Sequence, residues 1–156
     1  MAKRLGRRTI ALDCPVYLTS HAAVVGQKEG EGPLQGSFDL VSDDAHFGEK
    51  TWELAEARMQ RTAIDTAVTK ANLQLSDLDF LLAGDLLNQC IGSSMASVTS
   101  NIPFIGLYGA CSTMAEGLAV GSCLVDGGAA RTLCAAASSH FCAAERQYRF
   151  PLAYGG

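Results

Sequence analysis

Between Glu49 and Asn72 the apolar or small residues Trp52, Ala55, Met59, Ala63, Ala67 and Ala71 return every three or four positions, while Lys50, Glu53, Arg61 and Lys70 lie mostly elsewhere on the helical wheel. This spacing predicts the best helix of the chain, with Asn72 as its end. The period then changes. Phe80-Leu-Leu-Ala-Gly84 is a continuous apolar run too short for a helix, which is how a buried parallel strand reads. Phe104 to Gly109 and Thr132 to Ser138 predict two further buried strands, and Asp85 to Gln89 is a polar exit from the first. Ile91 to Ser100 predicts a small helix. Thr113 to Val125 predicts a core helix, in which alanine or glycine at 115, 117, 119 and 121 lowers helix propensity but permits close packing; Asp126-Gly-Gly128 closes it.

The amino-terminal third is less regular. Thr9 to Val25 is β-branched and apolar, with Pro15 suited to a bulge or an edge, and predicts an interrupted strand or hairpin. Gly26 to Gly48, punctuated by Gly-Glu-Gly-Pro and by Asp39, Asp43 and Asp44, predicts a long ordered loop. Residues 1–8 read as a basic tail and Glu145 to Tyr154 as a mixed one. The alternation of strand and helix predicts an α/β layered domain over residues 9–156 with right-handed crossovers.

Composition narrows this picture. Of the 156 residues 48% are hydrophobic and 18% charged, which places the chain among ordered globular domains. A formal charge of -4 argues against nucleic-acid binding, which needs a basic face. The cluster Lys3, Arg4, Arg7 and Arg8 reads as a solvated tail. The stretch from Thr9 to Val25 does not make a signal peptide, because Asp13, Pro15 and His21 interrupt it, and Glu116, Asp126 and Arg131 divide Ala110 to Ala137 too often for a membrane span. The six cysteines lack CxxC pairs, which fits a reducing compartment; Cys14, Cys90, Cys123, Cys134 and Cys142 read as buried small hydrophobes. Asp43-Asp44-Ala45-His46 has ligand-type side chains without the rest of a metal shell, so no metal site is expected.

Cys111 stands apart. If Phe104 to Gly109 is a strand and Thr113 begins a helix, this thiol lies at the carboxyl edge of the sheet and at a helix amino end, where ligands gather and where the dipole favours an anion. It reads as a nucleophile, a pocket wall or a packed free thiol. Ser112 or Thr113 would cap the helix. Glu116 either pairs with a buried partner or serves a pocket.

At these residues a resemblance enters. Gly106-Leu-Tyr-Gly-Ala-Cys-Ser-Thr-Met114 is similar to the nucleophile segment of the thiolase and ketoacyl-synthase superfamily. Lys28-Glu-Gly-Glu-Gly-Pro-Leu34, Leu81-Leu-Ala-Gly-Asp-Leu-Leu-Asn-Gln89, Ser138-Ser-His-Phe141 and Ala144-Glu-Arg-Gln-Tyr-Arg-Phe-Pro151 together resemble the stage V sporulation protein AD family. The resemblance implies an α/β thiolase-like layered fold of which this chain is the amino-terminal half, a βαβαβ-type sheet with packed helices. Tyr154-Gly155-Gly156 is accordingly read as the middle of a larger fold.

The resemblance further implies a non-enzymatic protein that binds dipicolinic acid for uptake into the developing spore. Calcium would enter only as calcium dipicolinate, and no other cofactor is expected. The protein would lie in the cytoplasm at the inner forespore membrane, with the membrane proteins of the same stage V operon as partners and self-association through an exposed half-interface. Cys111 takes the superfamily's nucleophile position, with Asp85, Asn88, Gln89 and His140 as ligand-binding candidates at strand exits, and Arg146 and Arg149 as the nearest basic residues for a carboxylate. The alternative is an acyltransferase or condensing enzyme that carries an acyl thioester on Cys111. A third reading is a half-domain whose role is assembly.

Overall fold

The computed structural model describes residues 2–88 and 90–148. Its centre is a three-stranded parallel sheet in which Phe80–Gly84 lies between Phe104–Gly106 and Leu133–Ala137. The strands and helices follow in chain order as β1 (Lys3–Leu5), β2 (Thr9–Ala11), β3 (Val24–Gly26), α1 (Gln27–Gly30), β4 (Leu40–Ser42), α2 (Trp52–Lys70), β5 (Phe80–Gly84), α3 (Ile91–Ser97), β6 (Phe104–Gly106), α4 (Thr113–Asp126), β7 (Leu133–Ala137) and α5 (Phe141–Tyr148). The expected α/β layered class is the one observed.

β5 occupies the middle of the sheet because its run carries no polar side chain to satisfy on either face. It pairs with β6 through Leu81, Leu82 and Ala83, and with β7 from Phe80↔Leu133 to Gly84↔Ala137. The strand's period of two sends Leu81 and Ala83 to one face, where they meet Ile64 and Val68 of α2 together with Leu78, Ile102 and Ala136 in the main apolar cluster. The other face receives α4. A Cβ at Gly117 would lie 3.2 Å from both Ala135 Cβ and Leu107 Cδ1, and one at Gly121 would lie 2.7 Å from Leu133 Cδ1. The glycines therefore set the distance between helix and sheet.

α2 begins at Thr51, whose hydroxyl accepts from Leu54 N at 3.3 Å, and ends at Asn72, which takes the left-handed conformation (φ 57°) as Leu73 N bonds Val68 O at 3.1 Å. Its fully buried stripe is not the expected one. The positions facing the interior include Glu56, Gln60, Ile64 and Val68, four residues apart, whereas Met59, Ala63 and Ala67 are half-buried. Two polar side chains thus lie on the stripe nearest the sheet.

Elsewhere the structure corrects several expectations. The basic segment is no tail: Lys3–Leu5 is one arm of an antiparallel hairpin with Thr9–Ala11, turned at Gly6 (φ 64°). The region 9–25 is only briefly strand, and its middle is tied to the end of α4, where Asp126 Oδ1 accepts from Asp13 N at 2.6 Å and Cys14 N at 2.9 Å. The loop 26–48 contains α1 and a parallel β3–β4 pair, fastened by Asp39 to Ala23 N at 2.9 Å and to Lys70 at 2.8 Å. Cys14 is exposed rather than buried, and Cys123, Cys134 and Cys142 are half-buried. Among the described residues no helix is long and apolar enough to cross a membrane.

The tightest approach is at Gly84. A Cβ there would overlap the carbonyl oxygen of Leu107 and lie 2.7 Å from Thr113 Cγ2. We expect Gly84→Ala to lower stability by about 3 kcal/mol, as overpacking against backbone does, and Gly26→Ala, with open space around it, to change it by less than about 1 kcal/mol. Urea unfolding of the two variants checks this, and equal effects would contradict the packing.

Candidate functional site

The carboxyl edge of the sheet carries two different constellations. The first surrounds Cys111. β6 ends at Gly106, earlier than expected, and Leu107 turns over Gly84 with its N–H still on Ala83 O at 2.9 Å. Ala110 is held left-handed (φ 48°), a strained conformation for a residue with a Cβ, and a short 3-10 turn over Ala110–Ser112 leads into α4. Cys111 is exposed on that turn. Ser112 does not cap α4: its hydroxyl donates back to Gly109 O at 2.7 Å. Thr113 is buried against Gly84, and its Oγ1 makes no hydrogen bond.

Beside this turn, three segments meet through tyrosines. Tyr148 at the end of α5 donates its hydroxyl to Leu86 O after β5, and Tyr108 after β6 lies 3.2 Å from the same hydroxyl. Both rings remain more than half exposed. The hydrogen bond with Tyr108, aided by partial desolvation, pushes the Tyr148 hydroxyl up to about 12, so it stays neutral at physiological pH.

The residues singled out in the sequence divide among different tasks. Asp85 is fully buried and fixes its own loop, accepting from Leu87 N at 2.8 Å and from Ser93 N at 2.7 Å in the first turn of α3. Asn88 donates its backbone N–H to Gln147 Oε1 at 2.8 Å, which joins the β5 exit to α5. Arg146 is committed to Glu53, at 2.9 Å. His140 is buried; its Nε2 bonds Ala45 O at 2.7 Å and its Nδ1 accepts from Ala143 N at 3.2 Å, the pattern of a neutral imidazole. Gln89 and Arg149 lie outside the described residues. Asp44, in the segment with ligand-type side chains, instead closes its own turn through His46 N and Gly48 N, and His46 stacks on Trp52 at 3.5 Å between ring centroids. Cys90 is buried and donates to Leu107 O, and burial raises its thiol above the ordinary range. The Cys134 thiol is likewise pushed up to about 11 by burial. Neither is a reactive thiolate.

The second constellation escaped the sequence reading. Glu56 and Gln60, one helical turn apart on α2, are 1% and 3% exposed. Ser138 Oγ donates to Glu56 Oε1 at 2.8 Å. Gln60 Nε2 reaches Gly84 O at 3.2 Å, Ser93 Oγ at 3.0 Å and Ser138 Oγ at 3.2 Å, and because a carbonyl only accepts, the amide orientation is fixed. Among the described residues Glu56 Oε2 and Gln60 Oε1 have no hydrogen-bond partner. A cavity of about 240 Å³ adjoins them, lined also by Ala23, Met59, Ser139 and His140. The legible signal was spacing: Glu56, Gln60, Ile64 and Val68 share one face, so two polar residues had to be buried with two apolar ones.

Burial, opposed by hydrogen bonds from Ser138 and the His140 backbone and reinforced by the charges of Asp85 and Glu53, pushes the Glu56 carboxyl up to about 7. A carboxyl whose folded value exceeds its unfolded value binds more protons when folded, so its contribution is fullest at low pH and falls as pH rises from about 4.5 to about 7. We expect wild-type stability to lose about 3 kcal/mol from this group across that window and to level off above it. Glu56→Gln should flatten the profile there. Thermal melts of both chains from pH 4 to 8 check this, and parallel profiles would contradict the burial of an unneutralised acid.

The family model for stage V sporulation protein AD matches residues 6–156. The curated stage V sporulation protein AD of Bacillus subtilis (strain 168) is 44% identical over 154 residues, covering 99% of this chain and 46% of that protein. The chain thus spans about half the length of the relative it matches. A family match across nearly all of its residues, bracketing the Cys111 turn and both strand exits, means that this chain belongs to the stage V sporulation protein AD family.

Proposed function

We propose that this chain contributes the thiol-bearing wall of a dipicolinate pocket and acts in stage V of sporulation by binding that ligand for uptake into the spore. The observation that carries the reading is the surface around Cys111: an exposed thiol on a strained turn at the head of a fourteen-residue helix, with the exposed rings of Tyr108 at the β6 exit and of Tyr148 at the end of α5 beside it. Dipicolinate is flat and carries two carboxylates. Tyrosine rings offer a planar apolar face, and the first amides of α4 carry the positive end of the helix dipole toward a carboxylate. Calcium belongs to this reading only as the counter-ion of the ligand.

The same reading has the protein work at the inner forespore membrane with the membrane proteins of its operon, and associate with a second copy. α4 supports the self-association, since Met114, Leu118 and Val120 are exposed on its outer side. A condensing enzyme is the second reading, favoured by the exposure of Cys111. It needs a base to activate the thiol. Among the described residues His140 does not serve, because both its ring nitrogens are occupied by Ala45 and Ala143.

Ligand binding to the folded state raises the melting temperature in a dose-dependent way. We expect dipicolinate, with or without calcium, to raise the Tm of this chain where benzoate does not, and Tyr108→Ala and Cys111→Ala each to weaken the response by about tenfold in apparent Kd. No response to dipicolinate, together with labelling of Cys111 by an acyl-coenzyme A thioester, would replace this reading with the enzyme.

A further inference from the structure

We propose that the cavity between α2, residues 22–24 and the exit of β7 is a second ligand site, separate from Cys111, which takes a primary ammonium group on a short alkyl chain. The polar side of the cavity needs donors. Glu56 and Gln60 are both more than nine-tenths buried, and each has an oxygen without a partner. The donors around the pair are neutral groups: the Ser138 hydroxyl proton is on Glu56 Oε1, the His140 backbone N–H also serves the carboxyl, the Gln60 amide protons are shared among Gly84 O, Ser93 and Ser138, and Ser139 brings one more hydroxyl to the lining. His140 spends its ring proton on Ala45 O. Among the described residues no lysine or arginine lines the cavity. While the carboxyl keeps its proton it supplies a donor of its own; once it is ionised, no described residue lining the cavity brings a positive charge to it, and a bound cation fills that role.

The charge around the site selects the ligand class. Glu56 is faced by Asp85 from the β5 exit and by Glu53 from its own helix, while Arg146 is drawn to Glu53. A dianion such as dipicolinate is therefore excluded from this cavity by the same groups that attract a cation. A divalent metal fits poorly. Such ions take six or more oxygens, whereas one carboxylate lines the cavity, and among the described residues no group of three or more His, Cys, Asp and Glu could hold a metal. The remaining wall is Ala22, Ala23, Val24, Met59, Ala63 and Ala137, an apolar sleeve suited to methylene groups. One charged head and a short apolar tail match its two halves. Binding also stabilises ionised Glu56, so the site competes with protons and strengthens toward alkaline pH.

The test is thermal denaturation of this chain at pH 8 with propylammonium, tetramethylammonium or potassium chloride at equal ionic strength. Tetramethylammonium carries the charge without an N–H donor, and potassium carries neither donor nor alkyl group. The expected result is a saturable rise with propylammonium of about 4 °C at ten times Kd, absent with the other two salts. Glu56→Gln should remove the rise. Ala63→Leu, which fills the sleeve and keeps the carboxyl, should remove it too, so the outcome does not hang on one variant's folding. Equal shifts with all three salts, a rise with potassium as large as with propylammonium, or a propylammonium response retained in both variants would overturn the proposal. Since dipicolinate is absent throughout, failure here leaves the reading of the Cys111 surface to its own experiment.

Discussion

A carboxyl group buried with no counter-charge among the described residues is the constraint around which the sheet edge is arranged. Glu56 reaches the interior because α2 turns its 56-60-64-68 stripe toward the sheet, and in that position it either keeps its proton or exposes itself. The structure meets this constraint with neutral groups. Ser138 after β7 donates to it, and Gln60, one turn on, ties the same serine to the carbonyl of Gly84 and the hydroxyl of Ser93. One polar cluster thereby fixes α2 to two strand exits and to α3. Asp85 adds the backbone of α3 to the same knot through Ser93 N.

Gly84 passes this order to the opposite face. Its carbonyl belongs to the Glu56 cluster, also accepting from Ser138 N at 3.1 Å, while the space its missing side chain leaves is filled by Leu107 and Thr113. Thr113 is the first residue of α4, two positions after Cys111. The exposed thiol therefore stands on a turn whose footing is a backbone contact with the central strand, and the strain at Ala110 is borne because the packing on either side of it is tight. The two constellations differ in chemical sense. The Cys111 surface offers donors, rings and a helix amino end, and the Glu56 cavity offers acceptors and methyl groups.

Much of the fold was legible because the central elements obey simple periods. Phe80 to Gly84 is a strand with the expected bounds, and the helix from Thr113 ends within one residue of the expected place, since Asp126-Gly-Gly128 cannot continue it. The hairpin at residues 3–11 was hidden because Lys3, Arg4 and Leu5 are all exposed and only backbone pairing holds them. The helix at 91 stops at Ser97, where Ser97 and Ser100 hydroxyls turn back onto backbone carbonyls, a competition invisible to apolar spacing. For the candidate site, Cys111 was singled out by its motif and its place between strand and helix. Glu56 and Gln60 were missed because apolar periodicity on α2 favours Ala63 and Ala67, whose small side chains leave them half-buried, over a stripe begun by two polar residues. Arg146 was read for its charge, but Glu53 lies within reach of it across α2 and α5.

The central claim is that an acid without a cationic partner sits at the junction of α2 with the strand exits, and carbon-13 NMR titration of the Glu56 side-chain carboxyl tests it most directly. The account predicts a midpoint near pH 7, well separated from those of the exposed glutamates. A midpoint in the ordinary carboxylate range, about 4 to 4.5, would mean that Glu56 is solvated or neutralised and that the sheet edge is not organised around it.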